Sequence, residues 1–266
     1  MLHSATDTRA LERLHYQMQL SGYFTELVDS RGVRFAYTEF FNDVWYNQAY
    51  DIQGEANSFN DIILETENFF GNRGRAPCFY TSDASPPTFS EHLERSGYEK
   101  FEDESWMLIN VSDVKSNERE HTISTVVDEY TEFANVYRQG LPGPEVEQYI
   151  EAAIKGHRYA PGNVSVEYLI AKTGGTTSGM LGLVIIPPIA GIYAVATVPE
   201  MRNKGVARAL NCRAAEIAKS LSCSHMMLQT VAGQESENVF KKMGYWRAFL
   251  RQGYAPREIV KDMKHG

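Results

Sequence analysis

The chain has 266 residues, is 43% hydrophobic and 23% charged, and carries a formal net charge of −8. That balance fits one large or two ordinary globular domains with a real core. The acidic excess argues against nucleic acid or an anionic membrane surface as the main partner. No apolar run approaches the roughly 18 residues that read as a membrane span. Residues 1–7 lack the cationic and apolar segments of a secretory signal. Cys78, Cys212 and Cys223 show neither metal-ligand spacing nor an even disulfide set, so a reducing cytoplasm is the expected compartment and no metal is expected.

In chain order, residues 6–20 are predicted helical, with Ala10, Leu14 and Met18 on one face. Residues 33–50 are crowded with aromatic rings, Trp45 and Tyr46 among them, and read as strand or hairpin. A short helix over 62–70 ends at Gly71, and 77–81 reads as a strand. Thr88 with Glu91 makes a capping box for a helix that stops at Gly97, and 105–111 is another strand. The polar run 112–120 is the best linker, dividing 1–116 from 117–266. Beyond it, 125–137 and 144–155 read as helices joined by Gly140-Leu141-Pro142-Gly143. Residues 164–172 and 179–186 bracket a Thr, Gly and Ser turn and form a hairpin. After a strand over 192–198 comes Pro199, a turn, and a helix whose face carries Val206, Leu210, Ala214, Ile217 and Leu221. Cys212 falls inside that helix as a small packing residue. A strand over 226–230, a helix over 234–243 closed by Gly244, and a strand over 245–254 complete the chain.

The turn Arg202-Asn203-Lys204-Gly205-Val206-Ala207 is the most informative stretch. Free backbone amides and the positive end of the following helix converge there, and such a place binds phosphate. Gly205 and Ala207 let a ligand's oxygens approach the backbone, and Lys204 and Arg208 add cations. There is no Gly-x-Gly-x-x-Gly, and Lys204 precedes its glycine without a following Ser or Thr, which disfavours Rossmann and Walker-type loops. The halves also echo each other weakly, because strand, helix, glycine, aromatic and strand recur at 78–98 and 226–245. Duplication and coincidence both fit, and the first half has no such turn.

Residues 198–207 resemble the strand-Pro-x-x-Arg/Gln-x-x-Gly-x-Gly/Ala signature of the GNAT superfamily of acyl-coenzyme A-dependent N-acetyltransferases. Val239-Phe240-Lys241-Lys242-Met243-Gly244-Tyr245 is similar to that family's second motif, hydrophobic-Tyr-x-Lys-x-Gly-Phe. The resemblance implies an α/β GNAT fold, with a mixed central sheet flanked by helices. It further implies two GNAT-like modules, the first without a cofactor site. It implies acetyl-CoA as cofactor, with Arg202, Asn203, Lys204, Gly205, Val206, Ala207 and Arg208 on its pyrophosphate. Ala196 and Val198 would run beside the pantetheine arm, and a nearby amide would stabilise the developing oxyanion. Phe240 would lie by the sulfur, and residues 138–144 would form an acceptor-contacting lid. The implied function is acetyl transfer to a primary amine of a small molecule by direct attack, and a homodimer stays open.

The sequence departs from the family at Phe240, where a tyrosine commonly supplies the proton to the leaving thiolate. A phenyl ring cannot donate one. Ser236, four residues earlier on the same helical face, is one substitute, although it reads more readily as a cap or a solvent-facing serine. Tyr193 is another, placed by strict strand alternation on the face opposite Val198. Glu167 is a candidate base through water, and Glu167 and Tyr168 would face opposite sides. His157 and His225 read as surface or packing residues, and Trp45 and Tyr46 as core or acceptor pocket. The class-different alternative is a non-catalytic CoA-binding sensor or scaffold module.

Overall fold

The computed structural model describes residues 7–20, 22–115 and 121–265. The N-terminal stretch 1–6, residues 116–120 of the expected linker and the expected boundary at 116/117 lie outside the described residues.

The first half runs α1 (Thr8–Gln19), β1 (Glu26–Ser30), β2 (Val33–Tyr37), β3 (Gln48–Tyr50), α2 (Phe59–Gly71), β4 (Phe79–Ser82), α3 (Phe89–Arg95) and β5 (Tyr98–Asn110). The second runs β6 (His121–Val126), α4 (Thr131–Gly140), α5 (Val146–Arg158), β7 (Ser165–Thr173), β8 (Thr176–Ile186), β9 (Ile189–Thr197), α6 (Val206–Ser220), β10 (His225–Val231), α7 (Glu235–Met243), β11 (Trp246–Pro256) and α8 (Arg257–His265). In each half a strand leads through a loop and helix to a parallel neighbour. Ala49 pairs with Phe79 in one, and Ile189, Ala190 and Gly191 pair with His225, Met226 and Met227 in the other. The echo in the sequence falls on the elements that follow these crossings, β4, α3 and β5 in one half and β10, α7 and β11 in the other.

Several expectations are corrected. Residues 125–126 close strand β6 rather than open a helix, because Thr125 and Val126 pair with Leu169 and Tyr168. Thr88 caps α3 by position only, its side chain making no capping bond. Leu221 lies past the last buried turn of α6 and is exposed. Strand β1 and the terminal helix α8 carry few apolar residues and are not among the expected elements, whereas β2 falls within the stretch read as strand. The β7–β8 turn holds as expected, with Gly174 and Gly175 at φ +57° and +82°, a backbone that glycine adopts without strain.

Grouped by packing, the chain forms two compact units. The first takes residues 1–106, 229–237 and 247–266, and the second 107–228 and 238–246. In the first, strands lie in the order β1-β2-β3-β4-β11-β5, with β11 antiparallel to β4 through Arg251↔Ser82 and Tyr254↔Phe79. Its core is aromatic, built on Phe35, Phe59, Phe70, Phe79, Phe89 and Tyr98. Against α1 the same unit buries an ionic network. Arg251, 2% exposed, donates to Glu104 at 2.8 Å and to the Tyr16 hydroxyl at 2.6 Å, and lies 3.9 Å over the Tyr80 ring. Glu12, 1% exposed, leaves Oε1 without a partner among the described residues, and burial pushes its carboxyl up to about 8.

The second unit orders its strands as β5 (residues 107–110), β10, β9, β8, β7, β6. Its core is aliphatic, with Leu169, Leu181, Leu183 and Ile192 of the sheet under Val206, Leu210 and Ala214 of α6. Gly179 is where α6 comes closest, since a Cβ there would sit 2.6 Å from Val206. Helices α4 and α5 cover the opposite face, Phe133 stacking on Tyr168 at 4.5 Å. No helix among the described residues is long and apolar enough to cross a membrane.

Candidate functional site

The site begins where β9 leaves its neighbours. Its parallel ladder with β10 stops at Gly191↔Met227, while the strand itself runs on to Thr197. On the other edge, Tyr193 pairs with Gly182 and Ala196 with Met180, so Ala194 and Val195 together oppose Leu181 alone. This β-bulge sits on Ala194 at φ +50°. A non-glycine residue held there costs of order 1 kcal/mol or more and clusters at functional sites, and a bulge takes backbone groups out of the ladder and re-aims them.

Four residues beyond β9 the turn completes the site. Asn203 stands at φ +61°, and Gly205 at φ +89° is the N-cap of α6. Arg202 N donates to Pro199 O, and the next amide with a backbone acceptor is Ala209, to Gly205 O at 3.0 Å. Among the described residues, the amides of Asn203 to Arg208 donate to no backbone carbonyl. The first turn of α6 has no acidic side chain. Arg202 and Lys204 are exposed, and Arg208 reaches Lys242 O at 3.1 Å. His121 holds the turn from behind, its Nε2 3.0 Å from Lys204 O. Open amides, a helix N-terminus and three cations make a cradle that fits a pyrophosphate, and Val198 and Ala196 are buried beside it.

The bulge overturns one sequence expectation. It adds a residue and inverts the alternation, so Tyr193 and Ala196, three apart, share a face because their partners Gly182 and Met180 do. Val198, two beyond Ala196, returns to that same face. Tyr193 is half-buried there, and its ring folds back along the strand. A Cβ on Gly191 would lie 2.5 Å from it. Glu167 pairs with Leu183, and Leu183 with Ile192, which puts it on the α6 face. Tyr193 and Glu167 therefore point to opposite sides of the sheet. As expected, Glu167 and Tyr168 also oppose each other, with Tyr168 on Tyr193's side. Ser236 is exposed on α7 and hydrogen-bonds the Thr230 hydroxyl. Phe240 is half-buried, packed on the aliphatic core with its ring 5.5 Å from that of Tyr245.

Three features of the Tyr193 face escaped sequence reasoning. Gly140, the last residue of α4, lets that helix press on β9, where a Cβ would lie 2.6 Å from that of Ala196. The neighbouring Arg138 is locked in a two-pronged pair with Glu147 at 2.5 and 2.8 Å. His157, in the last turn of α5, lies with Nδ1 2.6 Å from the Tyr130 hydroxyl and its ring 5.2 Å from that of Tyr168. His225 pairs instead with Ser224 and Trp246. In the first unit, Trp45 is exposed with Nε1 donating to Glu102 at 3.2 Å, and Tyr46 stacks on Tyr23 and Phe41. Among the described residues no cluster of His, Cys, Asp or Glu could hold a metal.

The sequence profile of the Acetyltransferase (GNAT) family matches residues 127–245, and no curated protein matches the chain. Among solved structures, a GCN5-related N-acetyltransferase from Kribbella flavida is similar over 97% of both chains, with a TM-score of 0.72 at 12% identity. One from Sphaerobacter thermophilus is similar over 84% of this chain and 76% of its own, with a TM-score of 0.63 at 14% identity. A tandem GNAT protein from the clavulanic acid biosynthesis pathway covers 84% of this chain and 77% of its own, with a TM-score of 0.58 at 10% identity. The fold is thus the GNAT fold, and two modules in one chain have a precedent in it. The cradle, bulge and splayed strand all fall within residues 127–245, the segment that matches the Acetyltransferase (GNAT) family.

Proposed function

We propose that the protein moves an acetyl group from acetyl-CoA to a primary amine of a small molecule by direct attack. Residues 117–266 form the transferase module, and 1–116 a GNAT-like module without a cofactor site. The observation that carries the reading is the open-amide turn at Asn203–Arg208, fed by a strand whose bulge breaks its ladder with β8. Arg202 to Arg208 would bind the pyrophosphate, and Ala196 and Val198 would lie along the pantetheine arm. The amides around Ala194 and Val195 would donate to the oxygen on which charge develops. Tyr193 is the hydroxyl nearest the bulge in sequence and fills the gap left by Phe240 as proton donor to the thiolate. Such help is modest, since a free thiol with a pKa of about 8.5 is already a tolerable leaving group.

Incubation with acetyl-CoA and a panel of amines, with thiol release followed, tests the reading. Turnover on at least one small amine is expected. Tight acetyl-CoA binding with thiol release at background on every acceptor would favour the second reading, a CoA-binding sensor or scaffold, for which Phe240 speaks. Phe240→Tyr separates the two. The hydroxyl should leave binding intact and raise turnover of an enzyme, whereas a sensor stays silent.

A further inference from the structure

Amine attack needs a neutral nitrogen, yet a primary amine near neutral pH is an ammonium, with a pKa of about 10. Some group facing the acceptor must therefore take a proton. The α6 face of the sheet is sealed by Leu183, Ile192 and Leu210. An acceptor has to approach β9 from the face of Tyr193, which is only half-buried. Across that face Tyr168, Gly182 and Tyr193 form one row on three neighbouring strands. Adjacent strands lie about 4.8 Å apart, so the row is about 10 Å long. Tyr168 leans over the glycine, its ring 2.9 Å from where a Gly182 Cβ would be. Phe133 and His157 both pack against that ring. The row thus runs from the bulge to an imidazole.

We propose that His157 is the proton acceptor for the amine, a role that rests on the acetyltransferase reading above. The Tyr130 hydroxyl at 2.6 Å holds Nδ1 and fixes the ring. With Nδ1–H donating to that oxygen, Nε2 is bare and accepts the proton through a chain of waters along the row. The ammonium N–H bond breaks, its proton passes to Nε2 and on to solvent, and the freed electron pair attacks the thioester carbonyl. As the C–S bond breaks, the Tyr193 hydroxyl gives its proton to the departing sulfur and takes the second nitrogen proton in its place. The charges around the ring suit this cycle. Burial lowers the His157 pKa and keeps the imidazole neutral at rest, while Glu167 of β7 and Asp128 ahead of α4 favour the imidazolium once it forms, and Arg158 opposes it. Arg158 lies 5.1 Å over the Tyr130 ring and so braces the hydroxyl that orients the histidine. Tyr168 presents only its ring, because its own hydroxyl is spent on Ala153 O at 2.8 Å.

Two measurements on the full chain decide the matter. Nitrogen-15 NMR of the imidazoles, with the His157 signal identified by its loss in His157→Gln, should show a neutral ring at pH 7 with Nδ1 protonated and Nε2 bare. The opposite tautomer overturns the proposal whether or not an acceptor is known. In the second, kcat/KM for the amine should rise through an apparent pKa below 6.5 and level off. In His157→Gln it should be about 100-fold lower at pH 7 and recover towards the wild type near pH 10, where the amine loses its own proton. Tyr130→Phe should move the acidic limb without removing it. A deficit of equal size at every pH would mean a packing role and overturn the proposal. Absence of turnover in the wild type would instead count against the acetyltransferase reading, leaving the tautomer to judge His157.

Discussion

The two βαβ crossings of this chain share a topology and differ in what their loops do with charge. Between β9 and α6 the backbone amides are open, cations surround them, and no acid stands in the helix's first turn. Between β3 and α2 the same place is closed from within. Gln53 N donates to Gly32 O at 2.7 Å and Ser58 N to Glu55 O at 2.9 Å. Asp61 stands in the first turn of α2. The loop also carries its own anion, the fully buried carboxylate of Asp51, bridged by Arg9 at 3.1 Å, Arg13 at 2.6 Å and Arg34 at 3.2 Å. A phosphate would there meet occupied amides and arginines already engaged by a carboxylate. A cofactor site in this fold is therefore a matter of spare amides and local sign, not of strand order.

The strongest way to break the comparison is to cut the chain at 116. If each half were self-sufficient, fragments 1–116 and 117–266 would each unfold cooperatively. Because β11 completes the first unit beside β4, and residues 107–110 of β5 belong with the second, each fragment loses a strand its unit needs. We expect neither to show a cooperative thermal transition by circular dichroism. A sharp transition in either would refute the strand assignment.

Glycine substitutions test the crossings themselves. Gly205→Glu places a carboxylate in the open cradle and a side chain at φ +89°. The strain costs about 1–2 kcal/mol, and calorimetric affinity for acetyl-CoA should fall at least 100-fold. Gly54→Glu in the other loop, at φ +113° with Ser58 Oγ 2.6 Å from the new Cβ, should lower the melting temperature and leave that affinity unchanged. Equal loss of binding in both would remove the distinction drawn above.

A pH-dependent effect separates the two cores. Glu12 keeps a proton up to about pH 8 in the folded state, against an ordinary value of 4.5. The unfolded chain gives that proton up first, so this group lowers stability by roughly 1.4 kcal/mol per pH unit as pH rises between those values. Glu12→Gln keeps the shape of the neutral acid and removes the titration. The gain in melting temperature over the wild type should be largest near pH 8 and vanish near pH 4. Among the described residues the aliphatic core of the second unit buries no such network, and a pH-independent gain would place the cause outside Glu12.

Much of the second half was legible because its signals are local. The apolar steps from Val206 to Ala214 and the glycine before them mark helix and turn within a dozen residues, and the structure keeps both. Gly244, at φ +106°, ends α7 as read. What failed were features that a neighbour imposes. Residues 125–126 look helical by period and become strand because β7 offers them a ladder. Tyr193 changes face because two residues of β9 must oppose one of β8.

The sequence by itself determined the family motif, the phosphate cradle and the absence of a tyrosine at 240, since each depends on residue type at fixed short spacing. Only the tertiary structure decided which side chains meet. Tyr130 and His157 are 27 residues apart, and Arg251 and Tyr16 are 235 apart. Such pairs leave no periodic trace, because they are made by the packing of whole elements, and no local propensity encodes where two distant elements will touch.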